Sequence, residues 1–301
     1  MKWRKLGLLY ECPGLHPKLS THVANCVPVF VGGDTFRIYF NARDKQNRSS
    51  VGAVDIDILS RKVVAEIPQP VFEYGPRGSF FEHGVSIGSL YSVDGVTYLS
   101  FMGWQVPEGG HWFGEVGRLL VNPDLSLTLD SKEPMLGLDK ADPISISYPW
   151  IEQIFGTYHM WYGSTSTWDG GNGEMVHTLK HAVSDDGLSW AKTGGAIPYE
   201  IGVAQAFSRP TVHLDGDDDL TMWFSYRSGR GEHYRIGQSQ KKGDGPWSNV
   251  MSAPGLTPST DGWDSQMLEY PYVFSHSGEV YMLYNGNGYG QSGFGLAVLE
   301  N

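Results

Sequence analysis

The chain has 301 residues, 22 basic and 33 acidic side chains, a formal charge of −11 and 40% hydrophobic residues. That balance, with no long basic run, excludes the concentrated positive face that nucleic acid requires, and no apolar stretch approaches the roughly 18 residues of a membrane-spanning helix. Two cysteines, Cys12 and Cys26, exclude a disulfide framework and point to a reducing, cytoplasmic compartment. The apolar stretch within Met1–Tyr10 is too short for a signal peptide.

The segment Trp3–Tyr10 reads as a strand. After it one pattern recurs five times, over approximately 22–66, 80–130, 145–193, 206–250 and 267–301. Its plainest element is a strand ending in an aromatic ring: Phe36-Arg37-Ile38-Tyr39-Phe40, Thr97-Tyr98-Leu99-Ser100-Phe101, Tyr158-His159-Met160-Trp161-Tyr162, Leu220-Thr221-Met222-Trp223-Phe224 and Val280-Tyr281-Met282-Leu283-Tyr284. The last rings, at 40, 101, 162, 224 and 284, are spaced by 61, 61, 62 and 60 residues. A β-sandwich or two small β domains would not explain so constant a period.

A turn precedes each of these strands: Gly32-Gly33-Asp34, Asp94-Gly95, Phe155-Gly156, Asp215-Gly216-Asp217 and Ser277-Gly278. Before each turn lies another short apolar strand, so each pair reads as a hairpin. These earlier strands are expected to open on Pro28, Gly84, Pro149, Pro210 and Pro271, because proline is tolerated at a strand's first residue. A third strand follows at Val51–Val54, Val116–Leu119, Lys180–Val183, Arg235–Gln238 and Phe294–Ala297. A fourth is announced by Asp185-Asp186-Gly187-Leu188-Ser189-Trp190 and by Asp244-Gly245-Pro246-Trp247. The fifth repeat ends after its third strand, and Trp3–Tyr10 is expected to supply its fourth. The pattern predicts one all-β domain over 1–301, a five-bladed β-propeller of four-stranded antiparallel blades, with no helix of any length.

In such a ring the loops before the first strands and after the second strands converge on a central mouth. Around the first strands stand His22, Asn25, Glu82, His83, Tyr148, Arg209, Glu269 and Tyr270. After the second strands stand Arg43, Asp44, Trp104, Trp168, Arg227 and Asn285. Glu82 and Glu269 are placed at the same repeat position. Trp190 and Trp247 read as structural, as do His177 and His181. Carboxylates, arginines, amides and aromatic rings together suit a saccharide, whose hydroxyls need polar partners and whose C–H face stacks on rings. No phosphate-cradling glycine motif and no zinc spacing is present.

The period, the Ser184–Trp190 signature and carboxylates at inner strand starts resemble the five-bladed propeller glycosidases, glycoside hydrolase families 32, 43, 68 and 130 and their relatives. The resemblance implies a carbohydrate-active enzyme. Families 32 and 43 place three acids on different blades; the matching strand starts here read Cys26, Glu82, Ser147, Ser208 and Glu269, with Asp44 on the turn after the first hairpin. Phosphorylases of family 130 use one early acid and basic residues for phosphate, an arrangement that Glu82 with Arg43, Arg209, Arg227 and His83 could imitate. Some relatives carry calcium on the axis; nothing in this sequence supports an ion or any other cofactor.

The expected function is therefore hydrolysis of a glycosidic bond by paired carboxylates, Glu82 and Glu269, with Asp44 as third acid. The expected substrate-binding residues are His22, Asn25, Arg43, His83, Trp104, Tyr148, Trp168, Arg209, Arg227, Tyr270 and Asn285. The partner is a small saccharide or glycoconjugate. Phosphorolysis or transfer at an arginine-lined anion site, and sugar binding without catalysis, are the alternatives. The sugar and the oligomeric state are not legible.

Overall fold

The computed structural model describes residues 2–216 and 218–300. Strand β1 (Lys2–Tyr10) is followed by β2 (Thr21–Gly32), β3 (Thr35–Arg43), β4 (Ser49–Asp57) and β5 (Lys62–Phe72). Next come β6 (Gly84–Val93), β7 (Val96–Gln105), β8 (Phe113–Val121) and β9 (Leu127–Leu129), then β10 (Ser145–Ile154), β11 (Thr157–Thr167), β12 (Val176–Ser184) and β13 (Ala191–Gly195). The chain continues through β14 (Ala206–Asp215), β15 (Asp219–Arg227), β16 (Arg235–Lys241) and β17 (Met251–Ser252), and ends with β18 (Glu269–His276), β19 (Glu279–Asn285) and β20 (Phe294–Glu300). Asp217, in the predicted turn before β15, lies outside the described residues, as does Asn301.

Within each run, neighbours in sequence pair antiparallel. Single parallel pairings, Ser49 with Gly84 and His177 with Ala206, join β4 to β6 and β12 to β14, so the strands form two eight-stranded sheets and one four-stranded sheet. The four-stranded sheet has the order β1-β20-β19-β18; the N-terminal strand therefore supplies the fourth strand beside β20, as its sequence predicted. The first strands touch in turn, β2 on β6, β6 on β10, β10 on β14 and β14 on β18, and β18 returns to β2. The five rings that end the second strands, Phe40, Phe101, Tyr162, Phe224 and Tyr284, are at most 3% exposed. One four-residue helical turn, Asn287–Gly290, stands between β19 and β20, and two of its residues, Gly288 and Tyr289, have left-handed backbone.

The prolines are not where the sequence reading put them. Pro149 and Pro210 are the fifth residues of β10 and β14, and Pro271 is the third of β18. Each sits in a β-bulge, between residues 147 and 150, 208 and 211, and 269 and 272. A bulge leaves its extra residue out of the ladder, so the missing N–H costs nothing there. In β2 the bulge holds Asn25-Cys26, so Cys26, and not Pro28, is the counterpart of these prolines. In β6 the counterpart is Gly88 and not Gly84, with the bulge one residue further on, between Ile87 and Leu90.

Side chains from the ends of second strands tie each run to the next. Asn41 bonds Val85 and Ile87, Ser225 accepts from the Tyr270 N–H, and Asn285 bonds Val23 and Asn25. Because Ile87, Tyr270 and Asn25 receive equivalent bonds, the residues before them, Ser86, Glu269 and Ala24, are equivalent too.

β1 carries Trp3, 1% exposed, whose ring meets Trp223 edge-on at 5.5 Å. Removing that ring leaves a cavity where the last sheet is held closed. Trp3→Ala should cost about 3–5 kcal/mol, the usual range for truncating a buried aromatic, read as a lowered midpoint in urea unfolding.

Candidate functional site

The bulges decide which side chains reach the centre. Four bulge residues have left-handed backbone: Asn25 (φ 55°), Tyr148 (45°), Arg209 (45°) and Tyr270 (54°). Such a conformation costs on the order of 1–3 kcal/mol for a residue with a side chain, and bulges re-aim side chains. Here they place one amide, two phenols and one guanidinium at the same level of the ring.

Two cavities adjoin at this level, of ≈440 Å³ and ≈270 Å³, and share Arg43, Trp112, Tyr148 and Tyr270 as lining. The larger adds Asn25, Ser86, Trp104 and His111; the smaller adds His177, Ser208, Arg227, Tyr234 and Tyr289. Tyr148 and Tyr270 face each other with hydroxyls 3.5 Å apart. Arg43 donates to Asn47 Oδ1 at 2.8 Å and has no carboxylate partner among the described residues. Arg227 is held by Glu174 at 2.6 Å and lies over the Tyr234 ring. No aspartate or glutamate lines either cavity.

Glu269 lies just behind this lining. It is fully buried, and neither carboxyl oxygen has a hydrogen-bond partner among the described residues. Burial pushes its pKa well above the ordinary carboxylate range, opposed by the charges of Arg227 and Arg43. Its electrostatic neighbours include Tyr148, Tyr270 and Tyr234. A buried carboxyl with no partner is unusual and calls for a reason. Burial favours its protonated form, the form that can donate a proton.

The expected partner carboxylates are elsewhere. Glu82 is not equivalent to Glu269: it stands in the loop before β6, four residues ahead of the equivalent Ser86, and its side chain accepts from the Gly78 N–H and lies 3.3 Å from His83. The pairing inferred from repeat position does not hold, because the counterpart of Pro271 is Gly88 and not Gly84, which moves the position matching Glu269 from Glu82 to Ser86. Asp44 is spent within its own turn, accepting from the N–H groups of Gln46 and Arg48 and from the Arg48 side chain at 2.9 Å. Arg209, 2% exposed, caps the carbonyls of Ile87, Cys26 and Gly88, so it braces the ring and does not line either cavity. Asn285 spends its amide on Val23, Asn25 and Gly293.

Of the remaining expected residues, Asn25, Arg43, Trp104, Tyr148, Arg227 and Tyr270 come together in the lining. His83 accepts from the Val106 N–H beside Trp104. Trp168 stacks on His111 at 4.6 Å and so backs the lining. His22 has left-handed backbone, and burial, with Arg43 nearby, lowers its pKa to about 4.

Sequence reasoning missed Trp112, Met175 and Tyr234, and set His177 aside. Trp112, Met175 and Tyr234 each immediately precede a third strand. A third strand starts at the end where the second finishes, so this signal was available and unused. His177 is 1% exposed, with Nε2 2.7 Å from Ser147 Oγ and Nδ1 2.7 Å from Thr165 Oγ1; burial lowers its pKa to about 4, so its ring is neutral. Among the described residues no group of three or more His, Cys, Asp or Glu could hold a metal ion, and no helix is long and apolar enough to cross a membrane.

Two uncharacterized proteins of Mycobacterium tuberculosis, MT1551 of strain CDC 1551 and Rv1502 of strain H37Rv, are each 40% identical to this chain over 303 residues, covering 100% of both. The chain belongs to their family. No protein-family model matches it. Among solved structures, a glycoside hydrolase superposes with a TM-score of 0.74 at 16% identity, over 98% of this chain and 90% of that one. A thermostable family-43 glycoside hydrolase gives 0.66 at 15% identity, over 92% and 88%. A structure described under the GH130 family of mannoside phosphorylases, containing hydrolases that target β-1,2 mannosidic linkages, gives 0.67 at 12%, over 93% and 84%. At these identities the likeness is one of fold: an all-β fold of the glycoside hydrolase type.

The buried carboxyl makes stability depend on pH in a stated direction. The folded pKa of Glu269 is raised, so its contribution is complete below the unfolded carboxylate pKa and is lost as pH rises toward the folded value. Glu269→Gln does not titrate. Across that window the variant should gain about 1.4 kcal/mol per pH unit relative to wild type, measured by urea unfolding at pH 4.5, 6 and 7.5.

Proposed function

We propose that the chain is a single five-bladed β-propeller domain over 1–301 and a carbohydrate-active enzyme that breaks a glycosidic bond in the cleft above Glu269. The closed ring of first strands supports the architecture, and the fold likeness to glycoside hydrolases supports the substrate class. The observation that carries the chemistry is the Glu269 carboxyl, fully buried and without a partner beside a cleft of tyrosine, tryptophan and arginine. The unpaired Cys12 and Cys26 suit a cytoplasmic setting.

In this reading Glu269 gives its proton to the departing glycosidic oxygen as the bond to the anomeric carbon breaks. The Tyr148 and Tyr270 rings and Trp104 pack against the sugar, and Asn25 and Arg43 bond its hydroxyls. An acceptor adds to the anomeric carbon, and Glu269 takes up a proton again before the next cycle. For hydrolysis that acceptor is water, whose own proton restores Glu269.

A second reading has a specific observation behind it. Paired-carboxylate hydrolysis needs a second acid facing the bond, and neither cavity is lined by one. An anionic acceptor such as phosphate brings its own nucleophile, and Arg43, without a carboxylate partner and lining both cavities, is placed to hold it.

Glu269→Gln should lower kcat on a panel of disaccharides, whose alkoxide leaving groups need the proton, by about 10²–10⁴-fold. Wild-type kcat should fall on the alkaline side as Glu269 loses its proton, a limb absent from the variant's residual rate. Full activity in Glu269→Gln would refute the assignment. Inorganic phosphate separates the two acceptors: stimulation that Arg43→Met abolishes supports phosphorolysis, and indifference supports hydrolysis. Saccharide binding with no turnover by the wild type would leave a binding protein.

A further inference from the structure

A third cavity, ≈900 Å³, opens between the run β10–β13 and the run β14–β17. It lies at the turn between β10 and β11, Ile154–Thr157, the opposite end of β10 from Tyr148. Another seam is filled by rings at this end, where Phe36 of β3 meets Phe274 of β18 at 5.3 Å. Here the seam stays open, at the upper end of the size range of small-molecule sites.

One wall is a stack of uncharged rings. His181 lies on His159 at 5.2 Å and 22°, and His159 lies on Trp161 at 5.7 Å and 17°. Trp247 stands edge-on to Trp161 at 6.4 Å. Burial lowers both histidine pKa values, that of His181 to about 4, so the wall carries no charge at neutral pH.

The hydrogen bonds fix where the protons are. The Thr193 hydroxyl donates to the His181 carbonyl, so its oxygen accepts from His181 Nδ1–H at 2.8 Å. His181 Nε2 is then bare and accepts from His159 Nδ1–H at 3.0 Å. That leaves His159 Nε2 as an acceptor with no partner among the described residues. Lys241 and Asn249, also lining the cavity, have no side-chain hydrogen bond there either. The cleft thus offers flat rings with separate donors and acceptors. Among the described residues Lys241 is its single cation, and Asp218 and Asp244 outnumber it.

We propose that this cleft is a second carbohydrate site that binds a neutral oligosaccharide, separate from the cleft above Glu269. The rings would take the C–H faces of the sugar, and His159, Lys241 and Asn249 its hydroxyls; the excess of carboxylates over cations selects against phosphates and sulfates. The inference rests on the carbohydrate reading of the chain.

The test is calorimetric titration of full-length Glu269→Gln protein, whose turnover is slowed about 10²–10⁴-fold, with cellohexaose, mannohexaose and maltohexaose. At least one should bind, and adding Trp247→Ala or Lys241→Ala should weaken binding at one site about tenfold or more. Among the described residues Lys241 makes no side-chain hydrogen bond, so Lys241→Ala stands in if Trp247→Ala does not fold. In the otherwise wild-type chain both changes should leave kcat/KM on the disaccharides within about twofold. Affinity unchanged in both variants, or no hexaose bound, overturns this inference alone, because turnover of the small glycosides tests the cleft above Glu269 independently. Loss of that turnover in Trp247→Ala and Lys241→Ala would overturn the separation of the two sites.

Discussion

An extra residue in each inner strand is the constraint on which the centre of this molecule depends. A regular strand would alternate its side chains between two faces, and the ring of first strands would present only half of them to one another. The bulge breaks that alternation. It turns Asn25, Tyr148, Arg209 and Tyr270 into left-handed backbone at one level of the ring. Where the chain has Gly88, an added Cβ would meet the Pro149 carbonyl at 2.1 Å, so this approach tolerates no side chain. The strain is held by the neighbours, since Asn41, Ser225 and Asn285 bond the bulged segments of the next strands.

The same geometry sorts the polar groups into two kinds. Arg209 is buried with three carbonyls under its two terminal NH2 groups, its Nε alone lacking a partner among the described residues, and it acts as a brace. Glu269 is buried and unsatisfied, one residue ahead of a bulge, behind a lining with two arginines and no acid. Burying an unpaired carboxyl is costly unless it stays protonated, and a protonated carboxyl beside a cleft is a proton donor. Stability and the proposed chemistry are therefore linked through one proton.

Much of the fold was legible because its signals are local. Turn residues, alternating apolar positions and a ring every sixty or so residues act within a few neighbours, and they located the first three strands of each run, a fourth in two of them, and the closing role of Trp3–Tyr10. Errors arose where a residue's place depends on its partner strand. Pro149, Pro210 and Pro271 looked like strand openers because proline is rare inside a ladder; they lie within strands because a bulge excuses the missing donor. Glu82 looked like the counterpart of Glu269 because each stands two residues before the residue taken to open its strand, Gly84 and Pro271, whereas the bulge register matches Pro271 with Gly88.

The sequence alone determined the period, the all-β character and the mixture of side chains at one end of the ring, since each follows from residue type and spacing. Only the tertiary structure decided which acid stands beside the cleft, that Asp44 and Arg209 are already engaged, and that His159 and His181 stack into a wall around a second cavity. Those outcomes depend on bulge register and on groups brought together from separate strand runs, and neither is written in spacing along the chain.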